Sequence, residues 1–433
     1  MRLMRKAIRL IYIDYLMKYS IFVKILTLFR KSVSIKNYRI DVIRPIKPVY
    51  ADSQKKYLRF NLMMSSLKAA GMYAGAMTAL KFFMTLQEVF EDAEFRILVV
   101  GNVFNEKDVF IPEGFKLLLS GEENVKKGVI NLTGKDRALT VHEHDIFIST
   151  NWYSAYVAND LIRDVREKKP ILFSKLIYLI QDYEPYFKPW SSEFMLAQST
   201  YNLEIDTIAI INSEQLFDYL HNMNHFFYRE FIYKPRLNSV LREYLFENRE
   251  YEERKNRILI YGRYFSKRNA FEIILGALEE WFSKDIEAKK WEVISLGNDF
   301  GTIKTENGLF IKSLGKLSLK DYAKIMLESK IGISLMVSPH PSYPPLEMST
   351  FGMKTITNNF ANKKLNDFNE NIIALENCTP RTLSEELLKL TTDKYDIYKA
   401  VYESDYLESD NSFWHNVCHE LKSEFIINKQ EDF

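Results

Sequence analysis

The sequence predicts two α/β domains, each built on a parallel sheet with helices on both faces. The chain has 433 residues, which is too long for one ordinary hydrophobic core and suits two domains. In both halves, short apolar runs of buried-strand length alternate with helical patterns, as in doubly wound sheets. A strongly charged stretch at 238–256 separates the two series, and such stretches often mark domain boundaries.

The domain organisation follows from this pattern. We expect a basic segment with a Pro-containing linker (43–54) over residues 1–54, a first domain at 55–248 and a second domain at 249–405. The tail is helical and aromatic with no strand pattern, and its residues 406–433 are expected to complete the first domain.

The strands of both domains are predicted from apolar runs bounded by turn residues. In the first domain the predicted strands are 58–64, 95–101, 145–150, 175–182 and 207–212, with helices at 76–90 and 154–167. In the second domain the predicted strands are 257–263, 291–297, 310–315, 330–336, 353–359 and 371–376. Its predicted helices are 269–282, 318–328, 345–351 and 380–391.

The composition bounds the class of protein. Lys and Arg total 59 against 57 Asp and Glu, so the net charge gives no case for a nucleic-acid partner. Aromatic residues make up 14% of the chain; they suit the stacking of sugar rings, and they equally suit a core rich in Tyr and Phe. Two cysteines, Cys378 and Cys418, cannot build a disulfide framework, which favours a reducing, cytoplasmic compartment.

The first 31 residues are strongly basic. They carry eight Lys and Arg residues against one acidic residue, Asp14, scattered among Leu, Ile, Phe and Tyr. The charges interrupt any signal-peptide core or membrane span. This pattern predicts a helix that lies on an anionic membrane surface at the inner face of the cell membrane. The alternative is a helix that packs on the protein's own body.

Three strand ends of the second domain carry candidate donor-site residues, because ligands of open parallel sheets bind beyond the carboxyl ends of the strands. After the first strand, Arg263, Lys267 and Arg268 are placed to hold a diphosphate, although a solvated basic loop has the same composition. Gly297 ends the next strand. Lys316 follows Gly315 at a third strand end and could reach an anionic leaving group; alone, it reads as an exposed lysine.

A proline-rich loop, SPHPSYPPLE, joins the next strand to a helix. It is stiffened by four prolines: Pro339, Pro341, Pro344 and Pro345. A helix N-terminus offers free N–H groups to an anion, and here the available amides are those of Tyr343, Leu346, Glu347 and Met348. The carboxylate of Glu347 could instead serve only to compensate the helix dipole.

The first domain carries candidate acceptor residues at its own strand ends. Gly71 and Gly75 allow close backbone approach but do not form the dinucleotide fingerprint G-x-G-x-x-G. Two segments, TNWYSAY and QDYEPYFKPWSSE, interleave carboxylates with aromatics as a carbohydrate groove requires. Their candidates are Trp152, Tyr153, Asp182, Glu184, Tyr186 and Trp190. Packing alone would explain any one of these aromatics.

No metal site is expected. Asp182 and Glu184 have a D-x-E spacing that a divalent cation could use, but the metal-free interpretation is favoured. The seven histidines have no zinc-motif context. A serine nucleophile elbow and a P-loop are absent from the sequence.

The strings YGRYFSKRN, SLGKLSLKDYAKIM and SPHPSYPPLEMSTFG, with LIQDYEPYFKPWSSEF and STNWYSAYVA, resemble glycosyltransferase family 4. Within it they are most similar to bacterial rhamnosyltransferases that assemble cell-surface glycans from dTDP-β-L-rhamnose. The resemblance covers roughly residues 58–376. It implies a GT-B fold, with two Rossmann-like doubly wound domains facing across a cleft, no metal or other cofactor, and retention of anomeric configuration.

The resemblance also implies roles for individual residues. Arg263 and Arg268 match the family's basic pair on the donor diphosphate, and Lys316 and Tyr343 match positions that contact donor phosphates and sugar. Glu347 matches the second glutamate of the E-x₇-E motif, which holds the ribose. The first glutamate is replaced by Pro339, which puts a common hexose donor in doubt and is compatible with a 6-deoxy sugar.

The sequence thus favours a retaining transferase that moves L-rhamnose, or a similar sugar, to a polysaccharide or lipid-linked glycan. Arg263, Arg268 and Lys316 would stabilise negative charge on the departing diphosphate, and Asp182 would orient the acceptor. Other possibilities remain open: a non-catalytic glycan-binding protein with this fold, a transferase that uses another sugar nucleotide, or, less well supported, an epimerase or phosphorylase.

Overall fold

The computed structural model describes residues 40–50, 57–67, 74–101, 110–118, 125–134, 137–168, 175–251, 253–392 and 398–431. The chain forms two compact units, 1–44 and 45–433. In the first unit the described residues are 40–44, with a short 3₁₀ helix at Asp41–Ile43. The predicted membrane-binding segment 1–31 and Gly71 lie outside the described residues. All the elements below belong to the second unit.

The first large sheet has eight parallel strands in the order β10-β9-β8-β7-β2-β3-β5-β4. Strands β1 and β6 pair separately. The strands of this half are β1 Lys47–Tyr50, β2 Arg59–Met64, β3 Glu94–Val99, β4 Lys116–Leu118, β5 Lys127–Asn131, β6 Ala138–Val141, β7 Asp145–Ser149, β8 Lys175–Ile180, β9 Thr207–Asn212 and β10 Arg229–Tyr233. Its helices are α1 Ala74–Val89, α2 Trp152–Lys168, α3 Ser192–Ser199 and α4 Glu214–Asn222.

The second sheet has seven strands in the order β13-β14-β12-β11-β15-β16-β17. Only the edge strand β13 runs antiparallel. The strands are β11 Lys255–Gly262, β12 Glu292–Gly297, β13 Thr302–Lys304, β14 Phe310–Ser313, β15 Ser329–Ile333, β16 Lys354–Asn358 and β17 Ile372–Leu375. The helices are α5 Ser239–Glu247, α6 Phe271–Lys284, α7 Leu319–Leu327, α8 Tyr343–Thr350, α9 Pro380–Thr392 and α10 Asn411–Glu431.

The topology places the candidate sites. Leaving out β13, the second sheet has the 3-2-1-4-5-6 order of nucleotide-binding folds, in which ligands bind where the order reverses. That point lies between β11 and β15; the corresponding point of the first sheet lies between β2 and β7. The strands β2, β3, β7, β8 and β9 are buried along their whole length, because helices cover both faces of a parallel sheet.

Every strand predicted from an apolar run is present, with ends that differ by a few residues. The sequence did not predict β1, β4, β5, β6, β10 and β13, which are short or partly exposed. One prediction needs correction: the linker at 43–54 contains strand β1, which pairs in parallel with β6. Pro48 is compatible with this position because a two-stranded sheet consists only of edge strands.

The two hydrophobic cores do not follow the predicted boundary at 248–249. Helix α5 lies before that boundary, yet its Leu241 and Leu245 pack in the core of the second sheet. Helix α10, at the end of the chain, instead packs in the core of the first sheet through Trp414, Val417, Cys418, Leu421 and Phe425. The chain thus crosses from the first domain to the second before α5 and returns after Leu407, which still belongs to the second core.

Candidate active site

Three loops meet at the carboxyl edge of the second sheet, beyond β11, β12 and β14. The Gly297 amide donates to the Gly315 carbonyl at 2.9 Å. Both glycines have positive φ, +114° and +64°, a region that favours glycine. A Cβ on Gly297 would lie 3.3 Å from the carbonyl oxygen of Gly262. These glycines keep the loops that bear Arg263 and Lys316 close together.

The loop after β11 presents the predicted cations in different ways. The Arg263 amide donates to Asn269 Oδ1 at 3.2 Å, and Asn269 Nδ2 donates to the Leu335 carbonyl at 3.1 Å, which ties this loop to the segment after β15. Lys267 is 87% exposed and pairs with Glu272 at 2.5 Å. Lys316 is exposed beyond β14. Arg268 is turned toward the first domain, where it contacts Asp182.

Arg268 forms an ion pair with Asp182 of the first domain. Its Nη1 donates to Asp182 Oδ2 at 2.8 Å, and its guanidinium carbon lies 4.0 Å above the ring of Phe187. Burial lowers the pKa of Arg268, but an arginine keeps its charge at any physiological pH. The other carboxylate oxygen of Asp182 accepts from the Ser338 hydroxyl and from the Tyr183 amide. The carboxylate thus joins loops from both sheets.

The proline-rich loop between β15 and α8 is held by internal hydrogen bonds. The His340 amide donates to Ser338 Oγ at 3.0 Å, and the Ser342 amide donates to His340 Nδ1 at 2.9 Å. Ser342 has a φ of +68°, a conformation that is strained for a residue with a Cβ and is often found at functional sites. The Val337 amide donates to the Arg268 carbonyl at 2.7 Å. The loop is therefore fixed relative to Arg268.

Helix α8 begins at the end of this loop. Its N-cap residue, Ser342, makes no side-chain capping bond. Leu346 is buried in the second core, so only its backbone could serve a ligand. Tyr343 reaches the first domain, where Asn212 Nδ2 donates to its hydroxyl at 3.3 Å. Burial raises the pKa of Tyr343 to about 12.

Glu347 lies on α8 among tyrosine side chains. Its charge acts on the hydroxyls of Tyr322, Tyr343 and Tyr406. Burial raises the pKa of Glu347 to about 7, while the neighbouring Tyr322 hydroxyl acts in the opposite direction. A carboxyl with this pKa changes its charge close to neutral pH.

The acceptor candidates of the first domain follow the carboxyl ends of strands β7 and β8. Trp152 starts α2 and is 5% exposed, and its amide donates to the carboxyl of Glu184. Burial raises the pKa of Glu184 to about 8, against the stabilising effect of that amide. Tyr153 packs edge-on against Trp152 with 5.8 Å between ring centroids, and burial raises its pKa to about 12.

Two further aromatics of the first domain differ in their surroundings. The hydroxyls of Tyr186 and Tyr219 are hydrogen-bonded, and the Tyr186 ring packs edge-on against Phe360 of the second domain, 5.8 Å between centroids. Trp190 is 97% exposed. Tyr186 thus contributes to the contact between the domains, whereas Trp190 is accessible from solvent.

Several residues of this arrangement were not predicted from the sequence. Ser338 and His340 lie inside the proline-rich string, but the candidates predicted there were its amides, Tyr343 and Glu347. Lys363 is fully buried and donates to the Met336 carbonyl at 2.7 Å; burial lowers its pKa to about 7. No sequence motif marks Lys363. Phe187 lies within the segment QDYEPYFKPWSSE but was not among its candidates.

The described residues show neither a metal-binding cluster nor a helix that could span a membrane. They contain no cluster of three or more His, Cys, Asp or Glu side chains with a geometry for metal binding, so the metal-free mechanism stays a prediction. Within the same residues, each helix is too short or too polar to cross a lipid bilayer.

Comparison with known proteins identifies both domains. Residues 59–214 match the family of the WsaF N-terminal domain, and residues 256–388 match that of the WsaF C-terminal domain. The O-antigen biosynthesis protein RfbC of Myxococcus xanthus is 28% identical over 236 residues, which are 54% of this chain and 17% of RfbC. The chain therefore spans only a small part of that relative's length.

Solved structures share the fold. Sucrose-phosphate synthase from Thermosynechococcus elongatus aligns with a TM-score of 0.57 at 11% identity, over 86% of this chain and 100% of that one. Anabaena HepE, solved in complex with UDP-glucose, aligns with a TM-score of 0.50 at 11% identity, over 87% and 98%. At this level of identity the likeness concerns the GT-B fold alone. The two domain matches together cover more than half of the chain, which therefore belongs to the WsaF family of GT-B glycosyltransferases.

Proposed function

We propose that this protein transfers a sugar, L-rhamnose from dTDP-β-L-rhamnose, to a growing cell-surface polysaccharide or lipid-linked glycan with retention of configuration. The observation that carries the proposal is the meeting of Arg268 with Asp182. This contact brings the basic residues at the strand ends of the second sheet next to a carboxylate at a strand end of the first sheet. In the proposed reaction the cations serve the leaving diphosphate, and the carboxylate orients the acceptor hydroxyl.

The donor side would hold the diphosphate. Arg263, Arg268 and Lys316 lie on loops at the carboxyl edge of one sheet. As the bond between the sugar C1 and the phosphate oxygen breaks, negative charge grows on the diphosphate. Cations fixed in advance stabilise that charge without reorganisation at the moment of reaction, which is the largest single contribution in many enzymes. No metal ion is required for this step in the proposal.

The acceptor side would use Asp182. Its carboxylate accepts from Arg268, Ser338 and Tyr183. A bound diphosphate would attract Arg268 and free Oδ2 of Asp182 to accept from the acceptor hydroxyl. The acceptor oxygen then bonds to C1 on the face that the diphosphate leaves, and its proton passes to the departing phosphate oxygen. Asp182 thus orients the acceptor and does not itself take the proton.

The identity of the sugar and of the glycan rests on similarity. Pro339 stands where related transferases carry an acidic contact to the donor sugar, and this loss is compatible with a 6-deoxy sugar. The O-antigen role of RfbC supports a cell-surface glycan as the product. The basic segment 1–31 supports work at an anionic membrane surface.

A donor panel tests the proposal. Purified full-length protein is incubated with dTDP-β-L-rhamnose, UDP-glucose, UDP-N-acetylglucosamine and GDP-mannose, with and without a rhamnose-containing oligosaccharide acceptor, and nucleotide release and glycan extension are measured. We expect the highest turnover with the dTDP donor and no loss of turnover in EDTA. The product should carry a β-linked L-rhamnose, because retention keeps the β configuration of the donor. Preference for another sugar nucleotide would overturn the rhamnose assignment. Loss of turnover in EDTA would overturn the metal-free step.

A further inference from the structure

His340 carries a buried hydrogen-bond donor that has no partner in the part of the chain that the structure describes. The side chain is 6% exposed, and its Nδ1 accepts from the Ser342 amide at 2.9 Å. Since Nδ1 accepts, the proton of the neutral ring is on Nε2. Nε2 is buried without a hydrogen-bond partner among the described residues. A buried donor without a hydrogen-bond partner is unfavourable, which points to a partner in the ligand-bound state.

The proline-rich loop that bears His340 makes two contacts that join the domains. On one side, Ser338 donates to Asp182; on the other, Tyr343 pairs with Asn212 of the first domain. The ring centroid of His340 is 5.7 Å from that of Tyr343. A sugar in transit must lie between the diphosphate-binding loops and the acceptor-facing carboxylate of Asp182. His340 borders this same junction.

The chemistry of the ring suits a neutral partner. Burial lowers the pKa of His340 to about 4, although the carboxylate of Asp182 acts in the opposite direction and the cations of Lys363 and Arg268 reinforce the effect. The ring is therefore neutral at physiological pH. Arg263, Arg268 and Lys316 already serve the diphosphate, whereas a neutral N–H matches a sugar hydroxyl.

On the basis of the proposed function, we propose that His340 binds the transferred sugar by donating a hydrogen bond from Nε2 to one of its hydroxyls. This makes His340 a residue that selects the donor sugar and leaves the nucleotide to other groups. Its Nδ1 accepts from the Ser342 amide, and this contact selects the tautomer that carries the proton on Nε2.

Two substitutions separate this role from a structural one. In His340→Asn the amide oxygen can replace Nδ1 and keep the contact to Ser342, but no donor remains at the position of Nε2. In His340→Gln the amide nitrogen reaches the position of Nε2, and the Nδ1 contact is lost. We expect His340→Asn to lower kcat/KM for dTDP-β-L-rhamnose by about 10-fold or more, the effect of one lost hydrogen bond, and His340→Gln to retain more activity than His340→Asn.

Binding measurements complete the test. Calorimetry with dTDP alone should give the same Kd for the parent protein and His340→Asn, whereas dTDP-β-L-rhamnose should bind the variant more weakly. A parental kcat/KM in His340→Asn, a larger loss in His340→Gln than in His340→Asn, or an equal loss of dTDP binding would overturn the role of His340. If the parent binds the sugar nucleotide without turnover, the proposed function fails while the binding comparison still decides the role of His340. If the parent does not bind dTDP-β-L-rhamnose, the same comparison is made with the panel donor of lowest Kd and with its nucleoside diphosphate. Absence of binding to every donor overturns both proposals.

Discussion

Arg268 Nη1 lies 2.8 Å from Asp182 Oδ2, and this ion pair connects the two candidate half-sites across the domains. The two residues have opposite tasks in the proposed reaction, since one serves the diphosphate and the other the acceptor. In the ligand-free protein the two side chains are paired with each other. A donor diphosphate must therefore compete with Asp182 for Arg268, and its binding prepares Asp182 for the acceptor.

Asp182→Asn tests this competition. The variant keeps an oxygen for Ser338 and Tyr183 but removes the negative charge that holds Arg268. We expect transfer to fall by about 10²-fold or more because the acceptor is poorly oriented, while the Kd for dTDP stays equal or decreases. Initial rates and calorimetry provide the measurements. Glu193→Gln, which breaks a surface ion pair with Lys188, is the matched control. Weaker dTDP binding by Asp182→Asn alone would contradict the competition.

Arg263→Ala and Lys316→Ala should each lower kcat by about 10²–10³, by analogy with the loss of one transition-state donor. The melting temperature should change little because both side chains lie on loops at the sheet edge. Lys320→Ala, at an exposed position of α7 close to Lys316, should retain the parental kcat. Parental turnover in both cleft variants would remove these residues from the donor site.

Glu347→Gln should raise the donor KM more than it lowers kcat. A ribose does not change its charge during transfer, so contact with it affects ground and transition states equally. The expected loss is about 1.5–3 kcal/mol, the scale of a hydrogen bond to a charged group, and the lower end applies to a dTDP donor because its sugar lacks a 2′-hydroxyl. With a pKa of about 7, the ionised acceptor form increases as pH rises, so the parental donor KM should fall through that range. A normal KM with a lower melting temperature would show that Glu347 only stabilises α8.

Glu184→Gln should change how stability depends on pH. Burial raises the folded-state pKa of Glu184 to about 8, well above the value of about 4.3 for an exposed glutamate. Between these values the folded state binds more protons than the unfolded state, so Glu184 makes the free energy of unfolding decrease as pH rises from about 4 to 8. The glutamine, which keeps an oxygen for the Trp152 amide, removes this contribution. Urea melts at several pH values should show a weaker decrease for the variant; parallel curves would contradict the raised pKa.

Deletion of residues 1–31 should weaken binding to anionic vesicles and spare transfer to a water-soluble acceptor. Each basic residue near such a surface contributes about 1 kcal/mol, and salt should reduce the binding of the full-length protein. Vesicles of phosphatidylglycerol and of phosphatidylcholine form the comparison in a sedimentation assay. Equal sedimentation of both proteins with anionic vesicles would refute the membrane role.

The central strands could be predicted from the sequence because strands that are buried on both faces are continuous apolar runs, such as Ile208–Ile211 in β9. Strand β4 could not be predicted in this way, because it has only three residues and two of them are exposed. Arg268 and Asp182 were each predicted as site residues, but their contact joins positions 86 residues apart and depends on how the domains pack. Nothing in the sequence predicted the burial of Lys363, because a lysine in a polar turn is usually exposed.

The return of α10 to the first sheet has a consequence for folding during synthesis. Trp414 packs against Phe82 of α1 and Tyr233 of β10, and Glu424 pairs with Lys175 and Arg229. While the ribosome is still making the second domain, this apolar face of the first domain has no cover. The nascent first half therefore exposes this apolar surface, and the core between α1 and the first sheet is complete only after residue 425 has left the exit tunnel.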